Sequence, residues 1–284
     1  MKTKIYTLFC ISSMAALSLL SSCVKDELYD TPHPDRGAVT VTVNLPQGSV
    51  PEDYTVVIGG QELENRDGSF VTSEPLEPGE YTVLAYNTPD GFDVEDGIAR
   101  VKVIPGTRAL STLIDPLPGC LYSGKERVTV MQDDTLRVDL GVARRVRDLE
   151  IRLDVTEGDY SRIVSVESTL AGIAGAYDML NETLFGEPVS TSPDFVREED
   201  RITASLRLLG ILGDVQTLTL HIVFSDGQEQ EVVSDLTALL AGFNSGDMGQ
   251  PLIVTGNLSV PAGADFSATI TGWQQTDAGN TDAH

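Results

Sequence analysis

Short apolar runs of period two fill this chain from Gly37 onward, each closed by turn residues. AVTVTVNL (38–45) alternates Val with Thr or Asn and stops at Pro46-Gln47-Gly48. Such alternation sets one face of a strand on a core and the other in water. YTVVIGG (54–60), SFVTS (69–73), YTVLAYN (81–87), IARVKVI (98–104), RVTVM (127–131) and LRVDLGV (136–142) repeat the pattern. Asn65-Arg66-Asp67-Gly68 and Glu77-Pro78-Gly79-Glu80 supply turns, because proline presets φ and glycine accepts φ > 0. Seven short strands without a long helix predict an antiparallel β-sandwich.

A second series follows Arg144-Arg145: DLEIRLDV (148–155), RIVSVESTLAGI (162–173), RITASLRLLGI (201–211), TLTLHIVFS (217–225), QEQEVVS (228–234), PLIVTGNLSV (251–260) and FSATITGW (266–273). Asp226-Gly227 predicts a tight hairpin turn. Residues 234–242 join an N-cap candidate, helix formers and a terminal Gly, which predicts a short helix. The chain therefore divides into an N-terminal sandwich at 37–144 and a C-terminal one at 145–273, with no direct repeat between them. The polar residues 274–284 are expected to form a disordered tail.

The start of the chain has a different pattern. A basic tip (Lys2, Lys4) precedes an apolar, charge-free run from Ile5 to Leu20. Those residues fall short of the roughly 20 needed to span a bilayer, so 1–22 reads as a signal peptide. Leu20-Ser21-Ser22-Cys23 has the pattern that lipoprotein signal peptidase reads. The expected product is Cys23 diacylated on sulfur, cut free at its amino side and acylated there too. Each buried CH₂ contributes about 0.8 kcal/mol, and two or more chains hold stably where one does not. Lys25, Asp26 and Glu27 resemble the Lys-Asp/Glu-Asp/Glu signal that sends Bacteroidetes lipoproteins to the outer face of the outer membrane. Residues 23–36 carry two prolines and no apolar period, which reads as a semi-rigid tether reaching roughly 45 Å.

Composition narrows the partners. The chain carries a net charge of −24, and without Lys2 and Lys4 17 basic residues face 43 acidic ones, a balance of −26. Nucleic acid and anionic headgroups repel such a surface. Cys10 leaves with the signal and Cys23 takes the lipid, so Cys120 is the sole remaining thiol and no intramolecular disulfide can form. Cys120 reads as a small buried apolar residue.

Catalytic patterns are absent from the sequence. Of three histidines, His33 lies in the tether, His284 at the terminus and His221 inside a strand. No Gly-x-Ser-x-Gly, Walker-type loop or His-x-x-x-His pair occurs, and one thiol with one strand histidine does not make a zinc site. Asp90-Gly-Phe-Asp93-Val-Glu95-Asp96-Gly97 clusters four carboxylates without EF-hand spacing, and reads as a solvated loop. Aromatics make up 6%, too few for a sugar-stacking platform, and the single Trp273 reads as a core plug. The expectation is a non-enzymatic protein with no cofactor, metal or small-molecule substrate.

The lipobox, the CVKDELYDTPHPDRGAVTVTV start, PGEYTVLAYN, DTLRVDL…RRVRDLEIRLDV and RLLGI…QTLTLHIVFSDG…SDLT…ITGW together resemble the fimbrial anchor-subunit family of Bacteroidetes type V fimbriae. The resemblance spans nearly the whole mature chain. It implies an all-β fold of two tandem transthyretin-like (Greek-key) sandwiches, with the short helix in the second. It also implies an outer-membrane lipoprotein at the base of a fimbrium, with a fimbrial shaft subunit as protein partner and strand addition as one form of that contact. Shaft subunits of that class are cleaved at an Arg, and Arg36 and Arg66 are the positions where cleavage would release this chain from its tether. The alternatives are a surface adhesin or glycan-binding lipoprotein, and a shaft or tip subunit of the same fimbriae.

Overall fold

The computed structural model describes residues 35–46, 53–105, 113–198, 200–260 and 267–277. Cys23, Lys25, Asp26, Glu27 and His33, with the signal peptide and the rest of the tether to 34, lie outside the described residues. So do residues 278–284. The first half forms β1 (Ala38–Asn44), β2 (Tyr54–Ile58), β3 (Gln61–Glu62), β4 (Glu64–Arg66), β5 (Ser69–Val71), β6 (Gly79–Asn87), β7 (Phe92–Glu95), β8 (Ile98–Val101), β9 (Leu113–Ile114), β10 (Tyr122–Val130), β11 (Thr135–Gly141) and β12 (Ala143–Arg144). The second forms β13 (Arg147–Glu157), β14 (Ile163–Ile173), β15 (Ala176–Asp178), β16 (Thr183–Phe185), β17 (Val189–Thr191), β18 (Val196–Glu198), β19 (Arg201–Leu208), β20 (Thr217–Phe224), β21 (Glu229–Asp235), helix α1 (Thr237–Leu240), β22 (Leu252–Ser259) and β23 (Thr269–Asp277).

These strands make two tandem transthyretin-like β-sandwiches. In the first, the sheet β11-β1-β5-β4 faces the sheet β12-β10-β6-β2-β3. Val39 and Val41 from one sheet meet Val56, Ile58, Val83, Ala85 and Val130 from the other in a fully buried core. In the second, β18-β19-β13-β22-β23 covers β21-β20-β14-β17-β9. Leu149, Ile151 and Leu153 of β13 pack there with Leu218, Leu220 and Ile222 of β20. Full burial of each such side chain stabilises by roughly 1.5–3 kcal/mol.

Two features depart from a purely antiparallel package. Each sandwich contains a long parallel pair, β1 with β11 over seven register pairs and β13 with β22. Parallel partners need a long connection between them, and in the first sandwich the intervening β2 to β10 supply it. The second departure is an exchange between the halves. The hairpin β7–β8 joins β15 and β16 in a small sheet of its own, order β16-β15-β8-β7. β9 adds in parallel to β17. Phe92, Ala99, Val101 and Ile114 therefore belong to the second core, although they lie within 37–144. Among the described residues the chain crosses between the sandwiches three times: after β6, before β10 and after β12.

The segment 90–97, expected as a solvated loop, is the hairpin itself. Phe92 and Val94 face inward while Asp93 and Glu95 face water. Asp96 and Gly97 turn the corner at φ 51° and 75°, values that Asp tolerates and Gly prefers. The short helix occupies Thr237–Leu240 within the expected span. Ser234 stays in β21, and Asp235 Oδ1 accepts from Thr237 N at 2.8 Å to start the turn. The last strand runs to Asp277, so Gln274–Asp277 is strand and not tail. Those residues pair with Leu252–Thr255. An edge strand bonds through its backbone, so the polar side chains of Gln274, Gln275 and Thr276 can stay in water.

Candidate functional site

Strand register fixes where the chain enters. Ala38 pairs with Thr135, and Gly79 with Val130, so the starts of β1, β11 and β6 share one pole with the end of β10. At the opposite end Asn44 meets Gly141, Asn87 meets Tyr54 and Tyr86 meets Ser123. From that end all three crossings lead to the second sandwich. The N-terminal segment is therefore rooted at the pole remote from the second sandwich.

The root is held through both main chain and side chain. Arg36 Nη1 donates to the Pro75 carbonyl at 3.3 Å, and Nη2 lies 3.5 Å from Glu77 Oε1. The Arg36 carbonyl accepts from Asp133 N at 2.8 Å, and Ala38 N donates to the Asp134 carbonyl at 2.9 Å. Gly37 and Leu76 exchange two bonds of 2.9 and 2.8 Å. A Cβ on Gly37 would lie 2.2 Å from the Met131 carbonyl, so only glycine fits this approach. The exposed Arg36–Glu77 pair contributes little, whereas each main-chain bond contributes about 1 kcal/mol. Arg66 sits differently, exposed beside the Asp67-Gly68 turn and paired at 2.8 Å with nearby Glu64.

The junction between the sandwiches is tied by polar groups. The Asn87 amide donates to the Cys120 carbonyl at 2.9 Å and accepts from Tyr122 N at 2.7 Å. Glu182 takes φ 55°, a left-handed backbone rare for its residue type. There its carboxylate reaches Arg145 at 2.8 Å and Lys125 at 3.5 Å, bridging the halves. Asp148 accepts from Arg144 Nη2 and Arg207 Nε, each at 2.8 Å. Burial pushes the Asp148 carboxyl up, but hydrogen bonds and charge from the two arginines outweigh it and hold the carboxyl below its ordinary value. Arg207 Nη1 also donates to the Pro118 carbonyl at 3.1 Å, fastening the segment between β9 and β10.

A cleft of about 770 Å³ lies between the outer face of β6 and β10 and the turns at Gly97 and Asn181. Tyr86, Lys125, Arg127 and Asp96 line it. Burial, helped by the charge of Glu62, pushes the Tyr86 phenol up.

The remaining candidate residues are placed as follows. His221 is half-exposed on β20, with Nε2 3.3 Å from Glu229. Cys120 is half-buried against the second core. Trp273 packs on that core over Gly256, where a Cβ would come within 2.9 Å of the indole. Among the described residues no group of three or more His, Cys, Asp or Glu is placed to hold a metal ion. The features that sequence reasoning missed are the root around Arg36 and the junction at Glu182 and Asp148. Arg36 meets partners 39 and more positions away, and no local pattern encodes such pairings.

A two-sandwich β-protein rooted by its N-terminal segment at one pole is the class that fold and geometry define. The chain belongs to the family of fimbrillin-A associated anchor proteins Mfa1 and Mfa2, whose family model matches residues 47–278. The match starts after the Cys23–Val43 segment, which the sequence resemblance had included. No curated protein sequence matches the chain. Among solved structures, a candidate adhesin from Bacteroides ovatus superposes with TM-score 0.58 at 15% identity, covering 88% of this chain and 96% of its own. The fimbrial anchor protein Mfa2 from Porphyromonas gingivalis superposes with TM-score 0.57 at 13% identity, covering 84% and 97%. A second candidate adhesin from Bacteroides ovatus gives 0.54 at 14% identity, covering 86% and 96%. Identities this low carry the fold and nothing further.

Proposed function

We propose that this chain is a surface-exposed outer-membrane lipoprotein that fixes the base of a fimbrium. In this reading Cys23 carries the fatty chains, and Lys25, Asp26 and Glu27 direct export to the outer face. Residues 24–36 then hold the first sandwich off the headgroups. The acidic surface keeps it there in solution rather than on the lipid. The second sandwich points away from the membrane and receives a fimbrial shaft subunit through protein–protein contact, strand addition being one form of it. The role is structural and needs no catalysis.

The observation that carries the reading is membership of the anchor family together with the N-terminal root at the remote pole. A lipid-held segment entering there leaves the whole of the second sandwich free for a partner. The pinned Arg36-Gly37 peptide favours a retained tether over the released form that a shaft subunit would need.

Deleting the gene and measuring filaments by electron microscopy tests this. The anchor reading predicts long filaments that are shed into the medium. A second reading, a surface adhesin or glycan-binding lipoprotein, is favoured by the adhesin descriptions of the neighbouring structures. It predicts unchanged, retained filaments with attachment lost.

A further inference from the structure

Parallel pairing of β1 and β11 gives the first sandwich a direction in which it resists force. The two strands run side by side from Ala38↔Thr135 to Asn44↔Gly141. At its two ends the ladder is closed by Ala38 N donating to the Asp134 carbonyl at 2.9 Å and Val142 N donating to the Asn44 carbonyl at 3.1 Å. Bonding alternates along a strand, so Thr40 and Thr42 also face β11. Val39 faces the other side, donating to Thr72 Oγ1 at 3.1 Å and accepting from Thr72 N at 3.0 Å.

A pull on residue 36 draws β1 out from its N-terminal end. β11 is held from its C-terminal end, where it runs through β12 into β13. The two forces act at opposite ends of one parallel ladder, so its bonds are sheared together. In an antiparallel pair pulled from one end, bonds open singly in sequence. Net hydrogen-bond energies near 1 kcal/mol each are modest alone, and the geometry of loading decides whether they add. Forced unfolding follows the unfolding rate rather than equilibrium stability, so this orientation matters where a tether pulls.

We infer that the β1–β11 ladder is a shear clamp, set to resist tension applied through residues 23–36 and held from the second sandwich. The remaining contacts agree with it. The Gly37–Leu76 bonds and the Asp133 N to Arg36 O bond lock the entry point. The first sandwich is gripped from the junction by three chain crossings rather than one. If the clamp gives way, β1 to β6 are released, and the chain stops at Phe92, which is seated in the second core. Residues 37–87 would then extend by about 180 Å at most. The direction of force in the cell rests on the tether reading, whereas the mechanical anisotropy does not.

Single-molecule force spectroscopy on the unlipidated mature chain tests the inference, with Cys120→Ser in every sample. One sample is held by the Cys23 thiol and a C-terminal tag. The other carries Cys23→Ala and Pro46→Cys, so that the same ladder is peeled from its junction end. The clamp predicts a several-fold higher rupture force on the first axis, followed by an extension matching residues 37–87. Equal forces on the two axes, or loss of β1 at low force on the first, overturn it. Thr42→Pro, which removes one ladder donor, should lower the force on the first axis and leave the second nearly unchanged. Should that variant not fold, the comparison of axes still decides. A lipid-free Cys23 in cells would sink the tether reading and leave this result standing.

Discussion

Arg147 donates from Nη1 to the Phe243 carbonyl at 3.1 Å and lies over that residue's ring, 5.4 Å from its centroid. Its Nε donates to the Gln250 carbonyl at 3.0 Å, and only 4% of the residue is exposed. The first residue of β13 thus ties down the loop that follows α1. A planar guanidinium serves two carbonyls and a ring at once, which an ammonium cannot do. Arg147→Ala should destabilise the protein by about 2–4 kcal/mol in chemical denaturation, because it strands buried carbonyls and empties a packed space. Arg147→Lys should recover less than half of that loss.

Trp273 is the only tryptophan, so fluorescence reports on β23 alone. Its indole occupies the space over Gly256. Gly256→Ala should shift the emission to longer wavelength and cost about 1–3 kcal/mol by overpacking. Unchanged emission would show that the indole is not seated there.

Asp148 gives the fold an acid-sensitive joint. Its carboxyl titrates below the ordinary value in the folded state and at about 3.9 when unfolded. The stabilisation it supplies is therefore complete above that unfolded value and is lost as pH falls through the lower folded one. Asp148→Asn should cost about 1 kcal/mol at neutral pH, since the site is partly open to solvent. The difference between wild type and variant should shrink below pH 4 and vanish in strong acid. Denaturation midpoints measured from pH 7 to pH 2 check both statements.

The Arg36-Gly37 peptide should resist trypsin-like proteases. A protease needs an extended segment free of its own bonds, and here the Arg36 carbonyl and both Gly37 groups are bonded. Mass spectrometry during limited digestion should detect no early product beginning at Gly37. Gly37→Ala, which collides with the Met131 carbonyl, should make that product appear and grow.

The strands were legible because period-two alternation is local. β1, β6, β14 and β20 lie where their apolar spacing placed them, and Asp67-Gly68 forms its expected turn at φ 54° and 87°. Pairing direction was not legible, since alternation is the same for parallel and antiparallel neighbours. β7 was hidden because its exposed positions, Asp93 and Glu95, belong to an acidic run that resembles a loop. The exchange of β7–β9 into the second core depends on contacts between residues far apart in sequence, such as Tyr177 with Ala99. The end of β23 was missed because an edge strand can be polar on every side. The root at Arg36 was visible only as a position where cleavage would matter, and not as the place where the chain is fastened.

The proposed anchor role depends on acylation of Cys23, so the most direct measurement compares wild-type and Cys23→Ala cells. Labelled palmitate incorporation, membrane fractionation and filament retention are read from the same cultures. The anchor account predicts label in the wild type only, with the variant protein and its filaments released into the medium. A variant that stays on the membrane with filaments attached would contradict it.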